Sequence, residues 1–128
     1  MITEILGSVT CGFPSPGLEH REEPLDFNQL LFRHPSSTYC LRASGDSMEP
    51  LIYPGDILIT DRSLRPRDGD VIIAEVDGMF TAKRIMIKDS SISLVPENPS
   101  YMPVPIVGEL ISFGVVTGIV RQFRRSNG

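Results

Sequence analysis

The feature that most constrains the fold of this chain is a two-residue turn, Asp77 and Gly78, between two apolar runs. Asp-Gly flanked by alternating hydrophobic residues is a strong signal for a β-hairpin with a type I′ turn. A two-residue loop also fixes the register of the two strands, so that Ile72 lies opposite Lys83. The sequence therefore predicts an antiparallel pair of strands over residues 70–76 and 79–87.

Lys83 is the unusual residue of this hairpin. Because side chains alternate between the faces of a strand, Lys83 shares an apolar face with Thr81 and Ile85, whereas Arg84 lies on the opposite face. Lysine is almost never fully buried unless it is paired. Two interpretations are open. Lys83 either lays its stem on apolar neighbours with its ammonium in water, or it is a catalytic base whose pKa is lowered by burial.

Ser47 lies in a stretch, residues 44–56, that is rich in turn-forming residues. Gly45 allows a positive φ angle, and Pro50 and Pro54 exclude a long helix or a central strand. The stretch therefore predicts an exposed bend that presents the Ser47 hydroxyl, either as a nucleophile or as an ordinary turn residue. A serine beside a neutral lysine is a known nucleophile–base pair, and a lysine has no tautomer that a third residue must fix.

Short β-prone runs separated by turn-forming residues continue along most of the chain. Besides the hairpin, strands are predicted over residues 38–43, 56–61, 91–95 and 108–120, with a proline-containing break at 103–105. One short helix is predicted over residues 26–32, with Asp26 as its N-cap, Gln29 completing a capping box and Pro35 ending it. The predicted fold class is mostly β, with small twisted sheets and one short N-terminal helix.

The N-terminal region predicts an extended arm outside the core. Residues 1–10 fit either one helical turn or an extended segment. Residues 11–17 contain two prolines and two glycines, which excludes a helix there and favours an exposed, extended chain. A charged run, 19–23, continues it. We therefore expect an arm over residues 1–23 and a folded domain over residues 24–128.

Composition argues against several classes of function. A net charge of −4 and a pI near 5.1 argue against unaided, non-specific nucleic-acid binding, which needs a basic face. No apolar run is long enough to span a membrane, and the N-terminus lacks a signal-peptide pattern. Cys11 and Cys40 make no disulfide framework, so a reducing, cytoplasmic setting is expected.

The remaining ionisable residues favour neither a metal site nor a Ser-His-Asp triad. His20 lies in the charged run and His34 near the end of the helix, and both are expected at the surface. Four carboxylates are expected to cap turns: Asp46, Glu49, Asp56 and Asp61. The spacing of cysteines and histidines matches no metal motif. We expect no metal and no cofactor.

Six short motifs form a familiar combination. They are residues 44–48 (SGDSM), 54–56 (PGD), 67–72 (RDGDVI), 81–85 (TAKRI), 94–98 (LVPEN) and 113–116 (FGVV). Together they resemble the self-cleaving serine–lysine peptidases of the LexA/UmuD type. Residues 11–16 (CGFPSP) resemble the cleavage region of the UmuD type in particular. The ten residues before Cys11 leave no room for a repressor's DNA-binding domain, so repression is not expected.

The resemblance implies a role for several residues. Ser47 would be the nucleophile, and Lys83 would be the base that accepts its proton. The backbone amides of Asp46 and Ser47 would hold the oxyanion. The scissile bond would join Cys11 and Gly12, so that cleavage shortens the chain at its N-terminus.

The same resemblance implies a biological role and partners. A RecA–single-stranded DNA filament would stimulate cleavage, and the shortened homodimer would be an accessory subunit of an error-prone Y-family polymerase in SOS translesion synthesis. Neither direct sequence-specific DNA binding nor a membrane partner is expected. Two other functions are open: a non-catalytic dimeric interaction module, and a peptidase that acts on other proteins. Cleavage within one chain and cleavage between the chains of a dimer are both open.

Overall fold

The computed structural model describes residues 1–14 and 21–125, which fall into two units that divide after Arg33. The N-terminal unit contains β1 (Ile2–Ile5), β2 (Glu22–Asp26) and the helix α1 (Phe27–Leu31). Strands β1 and β2 form a two-stranded antiparallel sheet. The N-terminal residues are therefore extended, as one of the two alternatives predicted, and part of the predicted charged run belongs to β2. The functional division at residue 23 stays a prediction.

Helix α1 begins as predicted but ends earlier. The Asp26 carboxylate caps it by accepting the amide of Asn28 at 3.0 Å. The helix ends before Phe32, whose amide donates to the Asn28 carbonyl at 2.9 Å. Pro35 instead begins a 3₁₀ turn, Pro35–Ser37, because its fixed φ suits a first helical position that needs no amide donor. The prediction that Pro35 ends the helix is therefore wrong.

The second unit, from His34 on, is built on one seven-stranded antiparallel sheet. Its strands are β3 (Thr38–Arg42), β4 (Ile57–Asp61), β5 (Val71–Val76), β6 (Met79–Lys88), β7 (Ser91–Val95), β8 (Val104–Pro105) and β9 (Ile111–Val120). Their spatial order is β3-β4-β9-β5-β6-β7-β8, so the last strand lies in the middle of the sheet. The predicted mostly β fold class, with one short N-terminal helix, is confirmed.

The hairpin of β5 and β6 has the predicted register. Ile72 lies opposite Lys83, and the pairing continues residue by residue to the turn. Asp77 and Gly78 have φ angles of 50° and 76°. Positive φ at both central positions is what a type I′ turn requires, and its twist matches that of the flanking strands.

Two apolar clusters pack on opposite faces of the sheet. One contains Ile72, Ala74, Ile85, Leu94 and Val115, and the other contains Met48, Ile52, Leu58 and Ile73. The neighbours Ile72 and Ile73 belong to different clusters because strand side chains alternate between faces. Met48 and Ile52, at 4% and 3% exposure, come from the turn that follows β3 and tie that turn to the sheet.

The C-terminal part differs from prediction at two boundaries. Strand β9 starts at Ile111 and not at residue 108, where Gly108 has a φ of 90° and belongs to a turn. The predicted break at residues 103–105 contains β8, which pairs with β7. Proline is accepted there because β8 is the edge of the sheet, where an outward-facing amide has no strand to pair with.

Strand β9 approaches β4 very closely. A Cβ atom on Gly114 would lie 2.9 Å from the carbonyl oxygen of Asp61 and 2.9 Å from Cγ2 of Thr60. The register between the two strands shifts between Ile59 and Thr60, as at a β-bulge. Glycine is therefore needed here for space. Within residues 1–14 and 21–125, no helix has the length and apolar character to cross a membrane.

Candidate active site

The turn between β3 and β4 presents Ser47 on a closed loop. The amide of Ala43 donates to the carbonyl of Asp56 at 2.8 Å, and the amide of Gly55 donates back to Ala43 at 2.9 Å. These bonds join the two ends of the loop where they enter the sheet. Gly45 has a φ of 78°, a conformation that disfavours residues with a side chain. Ser47 therefore sits on a backbone whose ends are fixed.

The side chains of Ser47 and Lys83 are in contact. The Nζ atom of Lys83, on β6, lies 3.0 Å from Oγ of Ser47, and 36 positions separate the two residues in sequence. This separation is within the range in which a general base takes a proton from a hydroxyl. Lys83 is half-buried, so its nitrogen is not simply extended into water.

Two further acceptors hold the Lys83 nitrogen. Nζ donates to Oγ1 of Thr81 at 2.8 Å and to the carbonyl oxygen of Ala82 at 3.0 Å. An ammonium has three N–H donors, and Ser47, Thr81 and Ala82 supply three acceptors. Strand alternation places Thr81 on the same face as Lys83, but the sequence pattern assigns it no role. The alternation of β6 was the signal that pointed to it.

Burial lowers the pKa of Lys83 below its ordinary value of 10.5. Removing water disfavours the charged ammonium, so the neutral amine is more populated at a given pH than in an exposed lysine. The neutral amine is the form that can accept a proton from Ser47. The environment thus shifts Lys83 toward the protonation state that a general base needs.

A cavity of about 220 Å³ opens beside these two side chains. Its walls combine the end of β3 and the start of the turn with apolar side chains of the sheet: Leu41, Arg42, Ala43, Ser44, Gly45, Met48, Ile52, Leu58, Ile73, Phe80 and Ala82. Ser47, Thr81 and Lys83 line the same space. The cavity can take an apolar side chain of a bound peptide next to the serine oxygen.

The segment after β7 contacts the backbone around Ser47. The amide of Asn98 donates to the carbonyl of Ser47 at 3.0 Å, and Nδ2 of Asn98 donates to the carbonyl of Asp46 at 3.1 Å. The hydroxyl of Tyr101 donates to the carboxylate of Asp46, which raises the pKa of Tyr101. The sequence predicts Asp46 as a turn cap and indicates neither Asn98 nor Tyr101 as its partner.

The amides predicted to hold the oxyanion are not engaged in other hydrogen bonds in the described part of the chain. Among the residues that the structure describes, the main-chain N–H groups of Asp46 and Ser47 donate no hydrogen bond. Unpaired backbone donors beside a candidate nucleophile are what an oxyanion site requires. Their assignment to that task stays a prediction.

Asp56 is buried and paired, which sequence analysis did not predict. Nε and a terminal nitrogen of Arg121 donate to its two carboxylate oxygens, each at 2.6 Å. The amide of Tyr53 also donates to this carboxylate at 2.8 Å, so the predicted turn cap is present as well. The hydrogen bond from Arg121 is the main reason why the pKa of Asp56 lies below its usual value. The pair ties the end of the loop to the residue that follows β9.

His34 lies at the surface, as predicted, but it is not isolated. Its Nδ1 is 2.6 Å from a carboxylate oxygen of Asp61 and 3.3 Å from the hydroxyl of Ser63. Burial alone would raise the pKa of Asp61, but hydrogen bonds from Ser63, His34 and Ser37 outweigh it and lower the pKa. Asp61 and Ser63 both contact Nδ1 of His34, whereas in a Ser-His-Asp triad the serine and the aspartate contact different ring nitrogens. This cluster is therefore not a triad.

Cys11 and Gly12, the predicted scissile pair, lie in the N-terminal unit. Both are exposed, and Cys11 is a free thiol. An added Cβ on Gly12 would meet nothing within 4 Å, so the backbone around this bond is open to approach. His20 and the rest of 15–20 lie outside the described residues.

The chain is similar to known proteins over most of its length. The model of the Peptidase S24-like family matches residues 4–117. Protein SamA of Salmonella typhimurium strain LT2 is 43% identical over 118 residues, which cover 91% of this chain and 83% of that protein. Protein ImpA of Escherichia coli is 37% identical over 89% of this chain and 79% of its own length. Protein MucA of Escherichia coli is 38% identical over 88% of this chain and 79% of its own length.

The chain therefore belongs to the Peptidase S24-like family, as a member of the UmuD type that its motifs resemble.

Proposed function

We propose that this chain is a serine endopeptidase that cleaves its own bond between Cys11 and Gly12, with Ser47 as nucleophile and Lys83 as base. The observation that carries the proposal is the 3.0 Å contact between Oγ of Ser47 and Nζ of Lys83. The lowered pKa of Lys83 and the membership of a peptidase family support it independently.

The proposed reaction has two halves. Neutral Lys83 takes the proton of Ser47 as Oγ forms a bond with the carbonyl carbon of Cys11. The resulting ammonium then protonates the nitrogen of Gly12 as the peptide bond breaks, which leaves residue 11 as an ester on Ser47. Water attacks this ester while Lys83 again accepts a proton. The ester bond breaks, Lys83 returns the proton to Ser47, and the products end at Cys11 and begin at Gly12.

The developing negative charge needs donors that are already in place. The free amides of Asp46 and Ser47 would supply them without reorganisation, and removing one such donor typically lowers the rate constant by about 10²–10³-fold. Because the arm is tethered, its effective concentration at the site is high, which favours self-cleavage over cleavage of a free peptide. Cleavage within one chain and between two chains are both compatible with this chemistry.

We infer the biological role from the family. The likeness to SamA, ImpA and MucA supports an accessory role in SOS mutagenesis. In this role a RecA–single-stranded DNA filament stimulates cleavage. The shortened chain then acts as a homodimer with a Y-family polymerase subunit in translesion synthesis, in the cytoplasm.

The decisive experiment is incubation of the purified full chain over a range of alkaline pH, and at neutral pH with RecA, an ATP analogue and single-stranded DNA. Mass spectrometry should find a product that begins at Gly12. The variants Ser47→Ala and Lys83→Ala should abolish it, while Lys88→Ala, an exposed lysine of the same strand, should not. Cleavage that survives in either dyad variant would falsify the mechanism. A folded wild-type dimer that never cleaves would favour the non-catalytic interaction module.

A further inference from the structure

Asn98 contacts two consecutive peptide units, and Ser47 lies between them. Its main-chain amide binds the carbonyl of Ser47 at 3.0 Å, and its side-chain Nδ2 binds the carbonyl of Asp46 at 3.1 Å. These are long-range contacts, since 52 positions separate Asn98 from Asp46. One residue therefore holds the backbone on both sides of the candidate nucleophile.

The amide of Glu49 also donates to the carbonyl of Asp46, at 3.1 Å, so this turn and the two contacts of Asn98 together determine where the amides of this backbone point. In a planar trans peptide the C=O and N–H bonds point in opposite directions. The carbonyl of Asp46 shares its peptide unit with the amide of Ser47, and the carbonyl of Ser47 shares its unit with the amide of Met48. Because Asn98 draws both carbonyls toward itself, the amides of Ser47 and Met48 are directed away from it. Neither amide donates a hydrogen bond to any residue that the structure describes.

The orientation of the Asn98 side chain is itself fixed. Its Oδ1 accepts the amide of Ser100 at 3.0 Å, so Nδ2 is the atom left to face Asp46. Its main-chain carbonyl accepts the amide of Tyr101 at 3.1 Å, which closes a turn after β7. The hydroxyl of Tyr101 then binds the Asp46 carboxylate from the same turn. Asn98 therefore reaches the backbone as a preorganised donor pair.

We propose that Asn98 is a positioning residue of the catalytic site, which holds the peptide unit before Ser47 so that the Ser47 amide faces the oxyanion. This task rests on the peptidase function proposed above, whereas the hold on the backbone does not. An asparagine suits the position because it combines a main-chain donor, a side-chain donor and an acceptor that fixes the side chain. Neither Ala nor Asp at this position has the Nδ2 donor.

The first test measures the hold on the backbone and needs no catalysis. NMR order parameters of the amides from Asp46 to Met48 are compared in the full-length wild type, Asn98→Asp and Asn98→Ala, all carrying Ser47→Ala to prevent processing. We expect about 0.85 with Asn98 and a lower value for the amide of Ser47 in both variants. The amide of Met48 should change less, because the main-chain amide of residue 98 still binds the carbonyl of Ser47. Ser100→Ala is the matched control, because it keeps the main-chain amide that Asn98 binds. Unchanged order in both Asn98 variants would overturn the proposal.

The second test measures the effect of Asn98 on the rate of self-cleavage. Self-cleavage of full-length protein is followed from neutral to alkaline pH. We expect the plateau rate of Asn98→Asp and Asn98→Ala to fall by about 10- to 100-fold, less than for direct loss of an oxyanion donor. The pH midpoint should stay at the wild-type value, because Lys83 is untouched, and so should the urea midpoint.

The outcomes separate the two proposals. Wild-type cleavage with full plateau rates in both Asn98 variants refutes the role of Asn98 and leaves the peptidase intact. A wild type that cleaves nowhere refutes the peptidase and the oxyanion task together, while the order parameters still decide the hold on the backbone. A plateau loss accompanied by a lower urea midpoint in both variants shows a merely structural role and refutes the positioning role.

Discussion

The nitrogen of Lys83 lies 2.8 Å from the hydroxyl oxygen of Thr81, closer than its 3.0 Å to the hydroxyl oxygen of Ser47. The candidate base is therefore held by its own strand as well as by its reaction partner. Since Thr81 is two positions before Lys83 on the same face, the strand itself supplies the hydroxyl that aims the amine. A lysine side chain has four rotatable bonds, and this contact restricts them.

The contact predicts that Thr81→Val lowers the plateau rate of self-cleavage by about 10- to 100-fold, because the amine loses its alignment. Valine keeps the shape but not the hydroxyl. Since the ammonium also loses an acceptor, the pKa of Lys83 and the pH midpoint of cleavage should fall further. Thr81→Ser is the matched variant and should restore most of the rate. An unaltered rate and midpoint in Thr81→Val would contradict this role.

The pH dependence of cleavage should follow the deprotonation of Lys83. Because burial lowers its pKa from 10.5, the rate should rise with pH to a plateau with its midpoint below 10.5. The lowered pKa of Lys83 also makes the stability of the fold depend on pH. Between the folded and unfolded pKa values the unfolded chain binds more protons, so stability rises with pH in that interval. Lys83→Met should remove this rise, which urea titrations at several pH values would detect.

Arg121→Ala should destabilise the chain because it leaves the buried Asp56 carboxylate without its cation. Arg62→Ala is the matched control. Arg121 lies over the ring of Tyr53 and Arg62 over that of Phe113, but among the described residues Arg62 donates to a main-chain carbonyl and not to a buried carboxylate. We expect a clearly larger fall of the urea midpoint for Arg121→Ala. Asp56→Asn should also be less stable than the wild type. The difference should shrink as pH falls below about 4, because only the wild type then loses the stability that comes from a carboxylate whose pKa folding lowers. Equal midpoints for both arginine variants would argue against the pair.

Ser112→Ala should leave stability unchanged or raise it by up to about 1 kcal/mol. The hydroxyl of Ser112 is buried and makes no hydrogen bond within residues 1–14 and 21–125. Alanine removes an unsatisfied polar atom and leaves the strand otherwise intact. Ser91→Ala, at an exposed position of β7, is the control and should change stability by less than about 0.5 kcal/mol. A loss above about 1 kcal/mol for Ser112→Ala would mean that the hydroxyl has a partner.

Gly114→Ala should lower the free energy of unfolding by about 1–3 kcal/mol, the usual cost of overpacking. The new methyl would meet the backbone of Asp61, which cannot move without disturbing β4. Thermal and urea unfolding of the variant would check this. Wild-type stability would mean that β9 and β4 can separate without cost.

Local signals explain most of what the sequence predicted correctly. The β5–β6 register follows from Asp77 and Gly78 alone, because a two-residue loop leaves no freedom of pairing. The start of α1 follows from the side chain of Asp26. The proximity of Ser47 and Lys83 came from the family resemblance and not from spacing.

Long-range side-chain pairs account for most of what was missed. Arg121 and Asp56 are 65 positions apart, and nothing near either residue indicates the other. Asn98 was part of a recognised motif, but its contact with Asp46 depends on how the turn after β7 folds back. Strand β2 was missed because its sequence, EEPLD, is charged and contains a proline, and it forms only by pairing with β1.

The edges of the seven-stranded sheet differ in their capacity to grow. Strand β8 has two residues, one of them a proline without an amide hydrogen, so it cannot template a continuous ladder. Strand β3, at the other edge, has five residues and no proline. The two edges of the sheet therefore differ: at β8 the short length and the proline prevent pairing with another strand, whereas at β3 an additional strand can still pair.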